Sequence, residues 1–210
     1  MELTTALESV ADEPLDEGPS FWRQLRSFLI RRRVRITVAL FSVLILEDLV
    51  ERVQPHSLAN VGDIYSLIGL GLIMSGLALR SVAAGILHKR TQLTTTGPYG
   101  FVRHPLYIGS FMMMLGFCAL IDDSENLWFV LGPMLALYIY RTLLEERTLS
   151  AEFGDQWDQY AKTVPRFIPR RWPKNSFATW KLDQWLRNRE YNAVSAVFVG
   201  LVAVQIWRLI

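Results

Sequence analysis

The sequence predicts an all-α, polytopic membrane protein of about five transmembrane helices, and three observations carry that expectation. First, 51% of the 210 residues are hydrophobic and 20% are charged, and the two classes occupy separate blocks of the chain. A bilayer demands such blocking, because apolar runs must cross it while charges collect at their ends. Second, the apolar runs approach the ~20 residues that cross a ~30 Å hydrocarbon layer at ~1.5 Å per residue. Third, lysine and arginine alternate between the two sides of successive runs, as the positive-inside rule requires.

Residues 1–20 carry six acidic side chains and no basic one, the reverse of a secretory signal's positive start, and are expected to form a solvated, disordered tail. FWRQLRSFLIRRRVR (21–35) mixes aromatics with arginines, as a helix lying in the headgroup layer does. Five apolar runs follow. The first, Ile36–Val50, ends at Glu47, Asp48, Glu51 and Arg52, and the second, Ile64–Leu87, is interrupted only by Arg80. Leu106–Ile121 and Leu127–Leu144 are joined by DDSEN (122–126), which predicts a helical hairpin. FATWKLDQWLRNR (177–189) reads as a second interfacial helix, with Trp180 and Trp185 near Lys181 and Arg187, before the last run, Tyr191–Trp207. The organisation predicted is an acidic tail (1–20), a membrane domain (21–190) with its chemistry in 84–169, and an additional C-terminal transmembrane helix (191–210).

Orientation follows from the basic residues. Six arginines lie in 21–35, Lys89, Arg90 and Arg103 in 88–105, and nine more basic residues in 145–190, whereas 54–62 and 122–126 have none. The N-terminus and the 88–105 and 145–190 segments are therefore expected in the cytoplasm, and the C-terminus opposite. A net charge of +2 without a basic stripe argues against nucleic acid as a partner. Cys118, the single cysteine, excludes disulfide scaffolds and cysteine-rich metal sites, and its apolar surroundings predict a buried structural thiol. GLGLIMSG (69–76) has Met74 where a dinucleotide-binding turn needs its third glycine, and no strand precedes it. Gly69, Gly71, Ser75 and Gly76 are instead expected to let helices pack closely.

Chemistry concentrates in LTTTGPYGFVRHPLYIG (93–109) and RTLLEERTLSAEFGDQWDQYAKTVPRFIP (141–169). The hairpin brings Arg103, His104 and Tyr107, at the mouth of the third run, to the depth of Arg141, Glu145 and Glu146, at the end of the fourth. Ionisable groups at a bilayer edge are costly unless they pair or bind something. Arg141 and Glu145, four residues apart, share a helix face. An interfacial salt-bridge cluster, with Pro105 merely starting the third helix, explains these features equally well.

The string GPYGFVRHPLYIG, the hairpin, and then Glu145-Glu146, Phe153-Gly154, Trp157, Tyr160, Val164-Pro165 and Ile168-Pro169 in that order resemble the isoprenylcysteine carboxyl methyltransferase family and its phospholipid methyltransferase relatives. The resemblance covers residues 84–169. It implies a helical membrane fold enclosing S-adenosylmethionine under cytoplasmic loops. The family's cofactor site maps onto Thr91, Gln92, Leu93, Thr94, Tyr99, His104, Pro105, Leu106, Tyr107 and Glu145. Its acceptor-side arginine maps onto Arg141. His104 and loop amides suit the cofactor carboxylate, Glu145 its ammonium, and Leu93 and Tyr99 its adenine. The implied partners are membrane lipids and a lipophilic methyl acceptor, a prenylcysteine-like or other lipid-like carboxylate, arriving from the bilayer.

A carboxylate acceptor needs no base; for an amine, thiol or alcohol, Glu146 is the nearest candidate. Two departures bear on the acceptor: about forty residues follow the Ile168-Pro169 element, and Arg166-Phe167 stands where the family has Thr-Gly. Sterol reductases share a similar GPY…RHP region but use NADPH and are much longer, which makes a membrane reductase one alternative. A non-catalytic membrane scaffold is the other.

Overall fold

Asp63 starts the first long helix by accepting a hydrogen bond from the Tyr65 amide, satisfying a donor that the helix itself leaves free. From there a computed structural model gives an all-helical chain, with no strand among the described residues. Those are residues 47, 48, 50–58, 60, 62–88, 91–170 and 179–209. The acidic tail, the 21–35 helix and nearly all of the first apolar run lie outside them. The chain divides into Met1–Arg52 and Val53–Ile210, and the helices and the cavity belong to the second unit.

Its helices are α1 (Ile64–Ile86), α2 (Pro98–Phe101), α3 (Pro105–Ile121), α4 (Ser124–Phe129), α5 (Leu135–Phe153), α6 (Asp155–Thr163), α7 (Leu182–Arg187) and α8 (Tyr191–Trp207). The turn between α3 and α4 is tighter than the five residues expected. Asp122 caps α3 in the left-handed region at φ 61°, and the Asp123 side chain accepts from the Asn126 amide to start α4. Short polar side chains tolerate that conformation better than most. Between α4 and α5, Val130–Met134 forms a π-helical turn around Pro133. Proline lacks the amide that the helical ladder needs there, and an extra residue per turn absorbs the defect. Glu125–Phe153 is thus one 29-residue helix that continues past Leu144, where apolarity ends.

That helix and α1 are long and apolar enough to cross a membrane; α3 and α8, at 17 residues, are apolar but shorter. Their outer faces carry large uncovered side chains, among them Ile68 and Met74 on α1 and Phe198 and Val199 on α8. Apolar surface of that extent is costly in water and suits a lipid surround. α7 spans only six residues and buries none of them.

α1 and α3 approach closely through glycine. A Cβ on Gly76 would sit 2.5 Å from the Gly109 carbonyl, and one on Gly69 2.9 Å from that of Gly116. Gly71 has nothing within 4 Å, and Ser75 is exposed, so these two play no part in the packing expected of them. The reason is angular: Gly69, Ile73 and Gly76 share one face of the helix, and positions 71 and 75 fall off it. Ile73, Leu120, Ile121, Val197 and Val204 fill the adjoining core, and Cys118 is buried nearby in α3.

Candidate functional site

After α1 the chain turns through Gly97, whose φ of 60° strains any other residue. α2 then buries Tyr99. The Tyr160 hydroxyl donates to the Tyr99 carbonyl at 2.8 Å, which fixes α6 over α2. Burial pushes both phenols far above their ordinary range, so both remain neutral. Past α2 the backbone extends, and the Arg103 amide donates to the Pro165 carbonyl (2.9 Å) and the His104 amide to that of Arg166 (3.3 Å). The Val-Pro element is therefore laid directly beside the Arg-His-Pro element. Pro105 opens α3 at the position where a missing amide costs nothing.

Glu146 stands at the junction of these pieces, 7% exposed. Its Oε1 lies 3.0 Å from Arg103 Nη1 and 3.0 Å from His104 Nε2, and Arg166 Nε donates to its Oε2 at 3.0 Å. An ionised carboxylate only accepts, so the proton of that contact sits on His104 Nε2. Burial lowers the Arg103 guanidinium below its ordinary value and Glu146 pushes it back up. The Trp157 ring, 5.8 Å from Arg103 Cζ, adds a cation–π contact. Arg103 Nε, in the same knot, is buried without a partner.

Beside the knot opens a cavity of about 610 Å³. Gln92, Leu93, Thr94 and Tyr99 line it from the loop and α2, and His104, Pro105, Leu106 and Tyr107 from the start of α3. Arg141 and Glu145 line it from α5. Two of the residues singled out in the sequence stand apart: Thr91 and Glu146 are not in its wall. Glu146 is ringed by Arg103, His104 and Arg166, an arrangement that holds elements together and offers a substrate no free base. His104, likewise, spends Nε2 on Glu146.

The α5 face is different. Arg141 forms no ion pair with Glu145 or with any other described residue, and its Nε is buried without a partner. Tyr99 Oη is equally unpartnered. Glu145 Oε2 accepts instead from the Tyr107 hydroxyl at 2.8 Å, and Tyr107 packs edge-on against Tyr138.

Sequence reasoning missed several wall residues: Arg80, Ser110, Thr148 and Glu152. Arg80 was visible as a charge inside an apolar run, which by itself marks a paired or functional group. Thr148 and Glu152 follow Glu145 at helical spacing on one face. Arg166, singled out in the sequence as a departure bearing on the acceptor, instead pairs with Glu146 twenty residues away and is not in the wall. Among the described residues no group of three His, Cys, Asp or Glu is placed to hold a metal ion.

The phospholipid methyltransferase family matches residues 61–156. The nickel-cobalt-cadmium resistance protein NccN of Alcaligenes xylosoxydans xylosoxydans is 31% identical over 147 residues, 70% of this chain and 68% of that one. The cobalt-zinc-cadmium resistance protein CzcN of Cupriavidus metallidurans is 31% identical over 193 residues, 87% of this chain and 84% of that one. The protein-S-isoprenylcysteine O-methyltransferase of Schizosaccharomyces pombe is 34% identical over 128 residues, 55% of this chain and 54% of that one, so the match spans about half of that enzyme. No solved structure matches the chain significantly.

Proposed function

The chain belongs to the isoprenylcysteine carboxyl methyltransferase-like family of methyltransferases, and from that premise we propose that it transfers a methyl group from S-adenosylmethionine to a lipophilic carboxylate within a membrane. The observation that carries the acceptor is Arg141, a half-buried arginine in the wall of the cavity whose Nε is buried without a partner and which meets no carboxylate among the described residues. An isolated cation at membrane depth is expensive unless an anion meets it. Its planar fork suits a carboxylate in two-point contact.

The donor set also fits the cofactor. The volume lies in the ~300–1,000 Å³ range of small-molecule sites. Glu145 and Glu152 present carboxylates for an ammonium, and Leu93 and Leu106 present apolar surface for an adenine. Tyr99 Oη, buried and unpartnered, is a donor awaiting an acceptor. The bound cofactor would supply an electrophilic methyl group on a sulfonium, and a carboxylate already ionised near neutral pH can accept it without a base. The protein's own part is then positional. Arg141 orients the acceptor, Glu145 and Tyr107 hold the donor's polar end, and the apolar wall excludes water.

Full-length protein in detergent should bind S-adenosylhomocysteine, and Glu145→Ala should weaken that binding about 10- to 150-fold, the ~1.5–3 kcal/mol of one charge-assisted hydrogen bond. Glu145 is exposed and, among the described residues, hydrogen-bonds to Tyr107 alone, so the variant should fold. Wild-type protein that ignored S-adenosylhomocysteine but bound NADPH would replace this reading with a reductase.

The cavity is assigned to the cytoplasmic side, on the strength of the basic residues that flank it. Single cysteines at Glu125 and Arg170, both exposed, in a Cys118→Ser background, report on this through an impermeant thiol reagent on intact cells. Labelling at Arg170 but not Glu125 would reverse the orientation.

A further inference from the structure

The last carbonyls of an α-helix have no amide of their own helix to bond. The usual local remedy is a left-handed residue, most often glycine, just past the end. α1 lacks it, because Leu87 leaves the helix extended, at ψ 121°. Its carbonyls are met instead by a segment a hundred residues away. Asn188 Nδ2 donates to the Ala84 carbonyl at 2.7 Å and to the Leu87 carbonyl at 2.9 Å. The Lys181 amide donates to the Gly85 carbonyl at 3.0 Å, and the Trp180 indole N–H to that of Ser81 at 3.0 Å. Gly85 makes room, since a Cβ there would run into the Trp180 indole.

The same segment ends in Glu190, 3% exposed, which grips Arg80 at two points, Nε to Oε1 at 2.8 Å and Nη2 to Oε2 at 2.9 Å. Arg80 passes the grip on: its Nη1 donates to the Leu106 carbonyl at 3.3 Å and to Ser110 Oγ. Both ends of this linkage reach the cavity. Leu87, Gln92, Leu93 and Thr94 line one side of it, and Leu106 and Ser110 another.

We infer that residues 180–190 are a clamp that sets the shape of the cavity, with Asn188 and Glu190 as positioning residues for what binds there. For its role in catalysis this rests on the cofactor reading above. Asn188 fixes the point where the lining loop leaves α1. Glu190 keeps Arg80 on the first turn of α3 and neutralises it, so that Arg141 is left as the cavity arginine without a carboxylate partner among the described residues. The chain beyond the methyltransferase-like stretch thereby becomes part of the binding site's support.

The test uses the full chain in detergent. Asn188→Asp keeps the shape but removes both donors and sets a carboxylate against carbonyls at the negative end of a helix. Amide hydrogen exchange in the last turn of α1 and in residues 91–94 should quicken at least tenfold without ligand, and S-adenosylhomocysteine affinity should fall at least tenfold. Gly200→Ala, whose Cβ would press on the Phe117 ring at 2.8 Å, is the control: it should lower the melting temperature and change neither readout. Trp180→Phe, which loses one indole donor, gives the same two readouts in milder form should Asn188→Asp not fold. Exchange as in wild type, in whichever variant folds, overturns the clamp. Failure of wild-type protein to bind S-adenosylhomocysteine would overturn the cofactor reading, and the exchange result would still decide the clamp.

Discussion

Two charged residues five positions apart on α5, Glu146 and Arg141, face opposite circumstances. Glu146 meets Arg103, His104 and Arg166 within 3.0 Å. Arg141 meets no carboxylate among the described residues and keeps Nε buried and unbonded. Both sit where charge is costly, so the difference separates two uses of that cost. A saturated charge ties elements together and is mute towards ligands. An unsaturated one destabilises the empty protein and is relieved when a partner arrives.

The contrast is broken most directly at Glu146. Glu146→Ala would leave three basic groups around a buried, empty position and cut the link between the start of α3, α5 and the Arg166 segment. Removing one partner of a buried ionic knot costs about 3–5 kcal/mol, a large share of a typical domain's stability. Thermal unfolding in detergent should show a fall of many degrees or the loss of a cooperative transition. A wild-type transition in this variant would mean that the knot holds nothing.

Arg141 should behave in the reverse way. Substitution orphans no partner, so Arg141→Lys should unfold like wild type and keep its S-adenosylhomocysteine affinity. Transfer to a lipophilic carboxylate should slow about 10-fold or more, because an ammonium keeps the charge but loses the planar two-point grip. Full activity in this variant, with any acceptor that the wild type uses, would remove Arg141 from the acceptor site.

Much of this arrangement was legible in the sequence, for definite reasons. The bounds of α1, α3 and α8 fall within a residue of the apolar runs, because those helices begin and end where apolarity does. The meeting of His104 and Tyr107 with Glu145 and Glu146 followed from the hairpin. What could not be read was non-local or angular. The extension of α5 to Phe153 is a helix outlasting its apolar stretch. Arg166 reaches Glu146 only because an extended strip pairs with residues sixty positions earlier. The Asn188 contacts join segments a hundred apart. Gly71 and Ser75 looked like packing residues until the face of α1 was fixed by Gly69 and Gly76.

Tyr107 sits between the two regions, and the smallest expected effect therefore tests the contrast most finely. Its ring lies 5.8 Å from that of His104, inside the saturated knot, while its hydroxyl donates to Glu145 on the cavity side. Tyr107→Phe keeps the ring and removes only the hydroxyl. Glu145 is exposed, so water can replace the lost donor, and stability should change by about 1 kcal/mol or less. The cost should appear instead on binding: a carboxylate no longer held by Tyr107 must be ordered by the ligand's ammonium, and S-adenosylhomocysteine affinity should fall a few-fold. Melting and titration of the same preparation separate the two. A large drop in melting temperature with unchanged affinity would place Tyr107 wholly in the structural knot, and the boundary between the two uses of charge would then lie closer to Arg141 than the cavity wall suggests.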